Sequence, residues 1–174
     1  MKTKSTPSLL KMSTTWGSIC VTAKDGKVVL CSLPVLEAEP KKPFAWGACR
    51  IESAGPADDS VLKKTKKFIR DLFGGQKVKP PPYDWPEANP FTTRVWKALV
   101  SIPHGTTMKY GELARIIGRP GGARAVGRAC GANPLPLFIP CHRVLPTDGS
   151  LGGFSSGLPW KRLLLEKEQS LNGL

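Results

Sequence analysis

The chemistry in this chain concentrates in one short run, Pro140-Cys141-His142-Arg143-Val144. A cysteine thiol with an ordinary pKa of roughly 8.5 becomes a nucleophile when a base or a cation lies close, and His142 and Arg143 supply one of each. Adjacent side chains point in different directions in regular structure, so His142 can take the thiol proton only through a turn at Cys141 or a bridging water. The imidazole then needs an acceptor on its other nitrogen. Glu168, one turn past Leu164, is a candidate, and a solvated carboxylate beside Glu166 and Lys167 is the competing reading of the same residue. The approach Asn133-Pro-Leu-Pro-Leu-Phe-Ile is apolar and stiffened by proline, which points to burial. Buried thiols are more often inert than reactive, so the run alone leaves nucleophile and structural cysteine both open.

The elements that must position this run read as helices. Phe91, Val95, Trp96, Leu99 and Ile102 fall on one face of a helix stopped by Pro103 and Gly105. A short helix from Tyr110 ends at Gly118, the turn Arg119-Pro-Gly-Gly follows, and a third helix runs from Ala123 to Asn133, the outline of a helix-turn-helix. That third helix contains Gly127 and Gly131, each costing about 1 kcal/mol relative to Ala in a helix interior. A face of small residues lets its backbone approach another surface, either a neighbouring helix or a nucleic-acid groove. Helix packing accounts for Ala125, Ala129 and Ala132 but leaves Arg124 and Arg128 unexplained. The last helix begins near Pro159, a favoured first-turn residue, and turns Trp160, Leu163 and Leu164 inward.

Upstream, Gly17 to Lys24 and Lys27 to Leu33 flank Asp25-Gly26, a strong signal for an antiparallel hairpin. Residues 34–58 predict a loop with one further strand around Phe44 to Ile51. Apolar spacing from Val61 to Phe73 predicts a helix ended by Gly74-Gly75, with Lys63, Lys64, Lys66, Lys67 and Arg70 on its solvated face. Lys79-Pro-Pro-Pro-Tyr-Asp-Trp-Pro cannot be helix or central strand and reads as a stiff linker. The expected organisation is an α/β (α+β) domain over 1–79, a Pro-rich linker over 80–89 and an all-α domain over 90–174. Met1 to Met12 reads as a mobile N-terminus.

The 174 residues carry 26 Lys and Arg against 13 Asp and Glu, a formal charge of +13. Within 91–162 ten basic residues face only Glu112 and Asp148. A surplus of that size favours a polyanionic partner, with nucleic acid ahead of mere solubility. No apolar stretch approaches the ~18 residues that span a bilayer, which excludes a membrane protein, and no secretory leader is legible, so the expected location is cytoplasmic, with nucleoid association in a prokaryote. The five cysteines include no CxxC pair, and neither a disulfide framework nor a zinc site is spelled out. Cys20, Cys31 and Cys49 read as buried structural thiols, and no metal or cofactor is expected.

Pro140-Cys-His-Arg-Val, preceded by Arg124-Ala-Val-Gly and Asn133-Pro and followed by Leu151-Gly-Gly-Phe-Ser-Ser-Gly-Leu, closely resembles the O6-alkylguanine-DNA alkyltransferases. The likeness runs from about Pro90 to Glu168, with several motifs in the right order. It implies a ribonuclease-H-like N-terminal domain and a winged-helix-like helix-turn-helix behind it. It also implies an irreversible, single-turnover repair reaction without a cofactor, in which Cys141 takes the alkyl group from O6-alkylguanine and keeps it as a thioether.

By the same resemblance His142 is a base acting through water, Glu168 holds its ring, and Asn133 braces the turn before the active-site segment. Arg124 is the finger that fills the gap left by the flipped nucleotide. Tyr110 acts on the phosphate and the guanine, and Thr107, Ala123, Ala125, Gly127 and Arg128 complete the contact with the minor groove and phosphates of duplex DNA. Ser155, Phe154, Gly152, Gly153 and Pro136 join Tyr110 in receiving the base. A monomer is implied. Phe154, Ser156 and Thr92-Thr93 depart from the commoner residues of the family and bear on the range of adducts accepted. The rival readings are a binding-only alkyltransferase-like protein, against which the thiol of Cys141 argues, and a helix-turn-helix regulator without chemistry.

Overall fold

A computed structural model describes residues 6–170. Strands β1 (Ser8–Thr14), β2 (Gly17–Lys24), β3 (Lys27–Ser32) and β4 (Trp46–Glu52) form one antiparallel sheet in the order β3-β2-β1-β4. The Asp25-Gly26 turn joins β2 to β3 as expected, and both residues have positive φ, 53° and 75°, as a tight hairpin of this twist needs. β1 was not foreseen: Ser8 to Met12 belong to a central strand and not to a mobile tail. Its period-two pattern is visible once placed, because Ser8, Leu10 and Met12 are buried and Leu9 and Lys11 are not.

Helix α1 (Pro56–Phe73) covers the sheet with Val61, Leu62, Thr65, Phe68, Ile69, Leu72 and Phe73, and its lysines stay outside. Its buried Asp58 accepts from Ser8 Oγ at 2.9 Å and from the Gly26 backbone N–H at 2.7 Å, which fastens the helix start to the sheet. Helices α2 (Pro90–Ser101), α3 (Tyr110–Ile116) and α4 (Ala123–Gly131) follow, then a single 3-10 turn over Cys141–Arg143 and helix α5 (Leu158–Lys167). Asn89 caps α2 by accepting from the Thr92 N–H at 2.9 Å. The C-terminal half is not wholly helical: β5 (Met108–Lys109) and β6 (Val144–Leu145) form a two-residue parallel ladder. Strands this short carry no hydrophobic period, so the pattern cannot announce them.

The two halves share one hydrophobic core. A single buried cluster runs from Leu10 and Ile19 through Leu62 and Ile69 to Trp96, Leu135, Ile139 and Leu164. Fully burying each such side chain contributes about 1.5–3 kcal/mol. The Pro-rich stretch is packed along the sheet edge: Val28 donates to Pro82 O at 3.0 Å and accepts from Asp84 N at 2.9 Å, while Lys27 pairs with Asp84 at 2.7 Å. Phe44 stacks on Phe73 at 5.0 Å, and Trp160 of α5 meets both edge to face. No described helix is long and apolar enough to cross a membrane.

Candidate active site and nucleic-acid interface

The segment from Asn133 to Val144 is locked by local hydrogen bonds. The Asn133 side chain accepts from the Leu135 N–H at 2.9 Å and donates to Ile139 O at 2.7 Å, closing the loop between α4 and the 3-10 turn. The same amide donates to the Cys141 sulfur at 3.3 Å. The 3-10 turn sends successive side chains apart. Cys141 lines a cavity of about 750 Å³, whereas His142 faces α5. Burial pushes the Cys141 thiol above its ordinary pKa, and the Asn133 hydrogen bond and the charge of Lys161 pull it back down.

His142 Nε2 lies 2.9 Å from Glu168 Oε1, and both residues are almost fully buried. Glu168 therefore faces inward, and the solvated reading of this carboxylate is overturned. Burial alone would raise the Glu168 pKa, but the hydrogen bonds and charges of His142 and Arg143 overcome it and hold the group at about 2. Desolvation lowers the His142 pKa against the pull of Glu168, so the ring is neutral at pH 7. With Nε2 donating to the carboxylate, Nδ1 keeps its lone pair, and that atom is buried with no partner.

Two assignments of the cations change. Arg143 does not serve the thiol: Nε and Nη2 grip the two Glu168 oxygens at 2.9 and 2.8 Å, and Nη1 donates to Ile102 O at 2.7 Å. It ties α2, the 3-10 turn and α5 together. The cation near the sulfur is Lys161, which the sequence reading missed. It is fully buried, donates to Val144 O at 2.9 Å and Gly153 O at 3.4 Å, and lies 5.9 Å from the centre of the Tyr110 ring. Desolvation lowers its pKa to about 8, against the opposing pull of Cys141 and Cys130. The available signal was helical spacing: Lys161 sits two turns before Glu168 on the same face.

The cavity brings together most of the other expected residues. One wall is α4, through Ala123, Arg124, Gly127, Arg128 and Gly131; the facing wall is Pro146, Thr147, Gly152, Gly153, Phe154 and Ser155; Tyr110 and Cys130 lie beside Cys141. Burial raises the Tyr110 hydroxyl to a pKa of about 12. Gly127 faces the Tyr110 ring, where an added Cβ would sit at 3.9 Å, an ordinary contact distance. Pro136 is buried and is not part of the lining, Thr107 is exposed just before β5, and Ala125 instead borders two shallower clefts with Arg119 and Arg128. No motif in the sequence marks Cys130, which nevertheless lines the cavity. Cys31 is buried, while Cys20 and Cys49 are half-buried, and no cluster of metal-ligating side chains occurs among the described residues.

The sequence family described as 6-O-methylguanine DNA methyltransferase, DNA binding domain, matches residues 90–170. A Mycobacterium tuberculosis protein named Methylated-DNA--protein-cysteine methyltransferase is 55% identical over 80 residues, 46% of this chain and 48% of that relative, so the match spans about half the relative's length. The Methanosarcina barkeri protein of the same name is 49% identical over 134 residues, 73% of this chain and 82% of that one. Among solved structures, Mycobacterium tuberculosis OGT in complex with DNA superposes with a TM-score of 0.72 at 31% identity, covering 92% of this chain and 91% of the other. With 49% identity across 82% of the Methanosarcina barkeri relative and a fold shared with the Mycobacterium tuberculosis structure, this chain belongs to the methylated-DNA–protein-cysteine methyltransferase family.

Proposed function

We propose that this protein repairs duplex DNA by transferring the alkyl group of O6-alkylguanine to Cys141 in one irreversible event. The observation that carries this reading is Cys141 facing a cavity of about 750 Å³, roomy enough for a purine, while the neighbouring His142 is held by Glu168 with its Nδ1 unpartnered. His142 Nδ1 takes the thiol proton, through a water as the family resemblance implies. Lys161 and the Asn133 amide favour the thiolate, which attacks the O6-bound carbon. The carbon–oxygen bond breaks, its electron pair stays on the guanine oxygen, and the sulfur becomes a thioether with no good leaving group. The protein therefore acts once.

A carbon inside a base stack is out of reach, so the base has to be flipped at a cost of a few kcal/mol. Arg124 fills the gap, Tyr110 and the Gly152–Ser155 loop receive the base, and α4 enters the minor groove with its small residues while Arg119 and Arg128 meet phosphates. Phosphate contacts bind without regard to sequence, as scanning for lesions requires. In this reading the N-terminal half is ribonuclease-H-like, the helix-turn-helix is winged, and the protein works as a cytoplasmic monomer.

Duplex carrying a labelled O6-methyl group tests the proposal. The expected result is one label bound per chain with no further turnover, and no transfer by Cys141→Ala, which still binds the duplex. Catalytic release of label to solvent, or full transfer by Cys141→Ala, would refute it.

A further inference from the structure

Cys130 is a second thiol in the same cavity, and the reaction above does not use it. Asn133 joins the two cysteines: its backbone N–H donates to Cys130 O at 3.2 Å, and its side chain donates to the Cys141 sulfur at 3.3 Å. Lys161 and Tyr110 each sense charge on both thiols. The alkyl group is delivered into this space, so whatever hangs from the transferred carbon shares one cavity with Cys130.

We propose that Cys130 is a second acceptor for alkyl groups that bear a leaving group on their second carbon, and that it closes a Cys141–S–CH2–CH2–S–Cys130 bridge. The inference rests on the transfer reading above. In the first step the Cys141 thiolate attacks the O6-bound carbon of a 2-haloethyl group, and the electron pair of the broken C–O bond stays on guanine. In the second step the Cys130 thiol gives its proton to solvent, its sulfur attacks the carbon carrying the halogen, and halide departs. No oxidant or reductant is consumed.

The first step prepares the second. Burial, and after it the charge of Cys141, hold the Cys130 thiol at about 12, while Lys161 acts in the opposite direction. Once Cys141 is a thioether it cannot carry charge, so its opposition to Cys130 ionisation disappears and the attraction of Lys161 remains. Holding both groups in one cavity also makes the displacement intramolecular. Without Cys130, the pendant carbon is left to water or to a base of the bound DNA, and the second fate joins protein to DNA covalently.

Both cysteines lie in one tryptic peptide, Ala129–Arg143, so its mass decides the matter. After incubation with duplex containing O6-(2-chloroethyl)guanine, the expected product is that peptide heavier by C2H2, with neither thiol open to a thiol reagent. A chloroethyl or hydroxyethyl group on Cys141 with Cys130 still free would overturn the bridge and leave the transfer reading intact. An unchanged peptide with both this duplex and the O6-methyl duplex would overturn both. Cys130→Ala should give hydroxyethyl-Cys141 and several-fold more protein–DNA conjugate on denaturing gels; a conjugate yield equal to that of the unmodified sequence would contradict the role. Should the variant fail to fold, the peptide mass of the unmodified protein still decides.

Discussion

Glu168 holds His142 and Arg143 at once in a water-poor interior. Glu168→Gln keeps the shape but leaves a buried guanidinium poorly paired, so the expected loss of stability is about 3–5 kcal/mol. Single-turnover transfer should slow about 100-fold or more, since the base loses its orientation. The carboxyl titrates at about 2 in the folded protein against an ordinary 4.5. Its contribution to stability is therefore complete above pH 4.5 and is lost as the pH falls toward 2, so chemical denaturation curves of the two proteins should converge in acid. Lys161, lowered to about 8, acts on the rate: thiolate increases with pH, but the cation that favours it discharges above pH 8. Transfer should rise and then level off or fall across that region, and Lys161→Met should move the rise to higher pH. An unchanged profile in that variant would remove Lys161 from thiol activation. Cys141, His142 and Glu168 were legible because their types suit one chemistry. Arg143 was read as a partner of the thiol because sequence adjacency does not say which way a 3-10 turn aims its side chains. Lys161 was lost among the other lysines because burial of a charge depends on acceptors, here Val144 O and Gly153 O, that come from distant elements.

Among the elements, α3, the glycine turn and α4 were readable from period and breakers alone, and Asn89, Gly118 and Gly121 fall where cap and turn chemistry demands. β1 was not, since the adjacent Leu9-Leu10 and the interspersed lysines blur a period of two. The placing of the loop after β6 was also illegible, because it depends on the N-terminal half: Leu36 donates to Ser156 O at 2.9 Å, and Trp160 Nε1 donates to Pro34 O at 2.9 Å. Gly157 has φ +100°, and a Cβ there would lie 2.1 Å from Leu36 O. Gly157→Ala should destabilise the protein by at least about 1 kcal/mol and slow transfer, because the loop proposed to receive the base must shift. Arg124→Ala tests α4 itself. Transfer from duplex should fall far more than transfer from a free O6-alkylguanine base, and equal slowing on both would remove the finger role.

At the scale of the whole molecule, the sequence suggests two domains on a stiff spacer, while the structure has one core crossed by both halves, with the proline stretch bonded to β3. Composition cannot reveal this, because a proline run that avoids helix looks the same whether it spans solvent or lies along a sheet edge. The fragment 90–174 should therefore expose the faces of Trp160 and Phe138 that pack on Phe44, Phe73, Phe68 and Tyr83, and fail to give a cooperative unfolding transition on its own. The +13 charge acts at the same scale: binding to undamaged duplex should weaken steeply with salt, and Arg128→Ala should reduce the slope of log K against log salt by about 1. In the proposed reaction all of these effects serve one event at one sulfur. Fragment-ion mass spectrometry of peptide Ala129–Arg143, taken after the protein has met duplex with O6-methylguanine, should find a single methyl group on Cys141. A methyl on Cys130, or a peptide without any, would contradict the account.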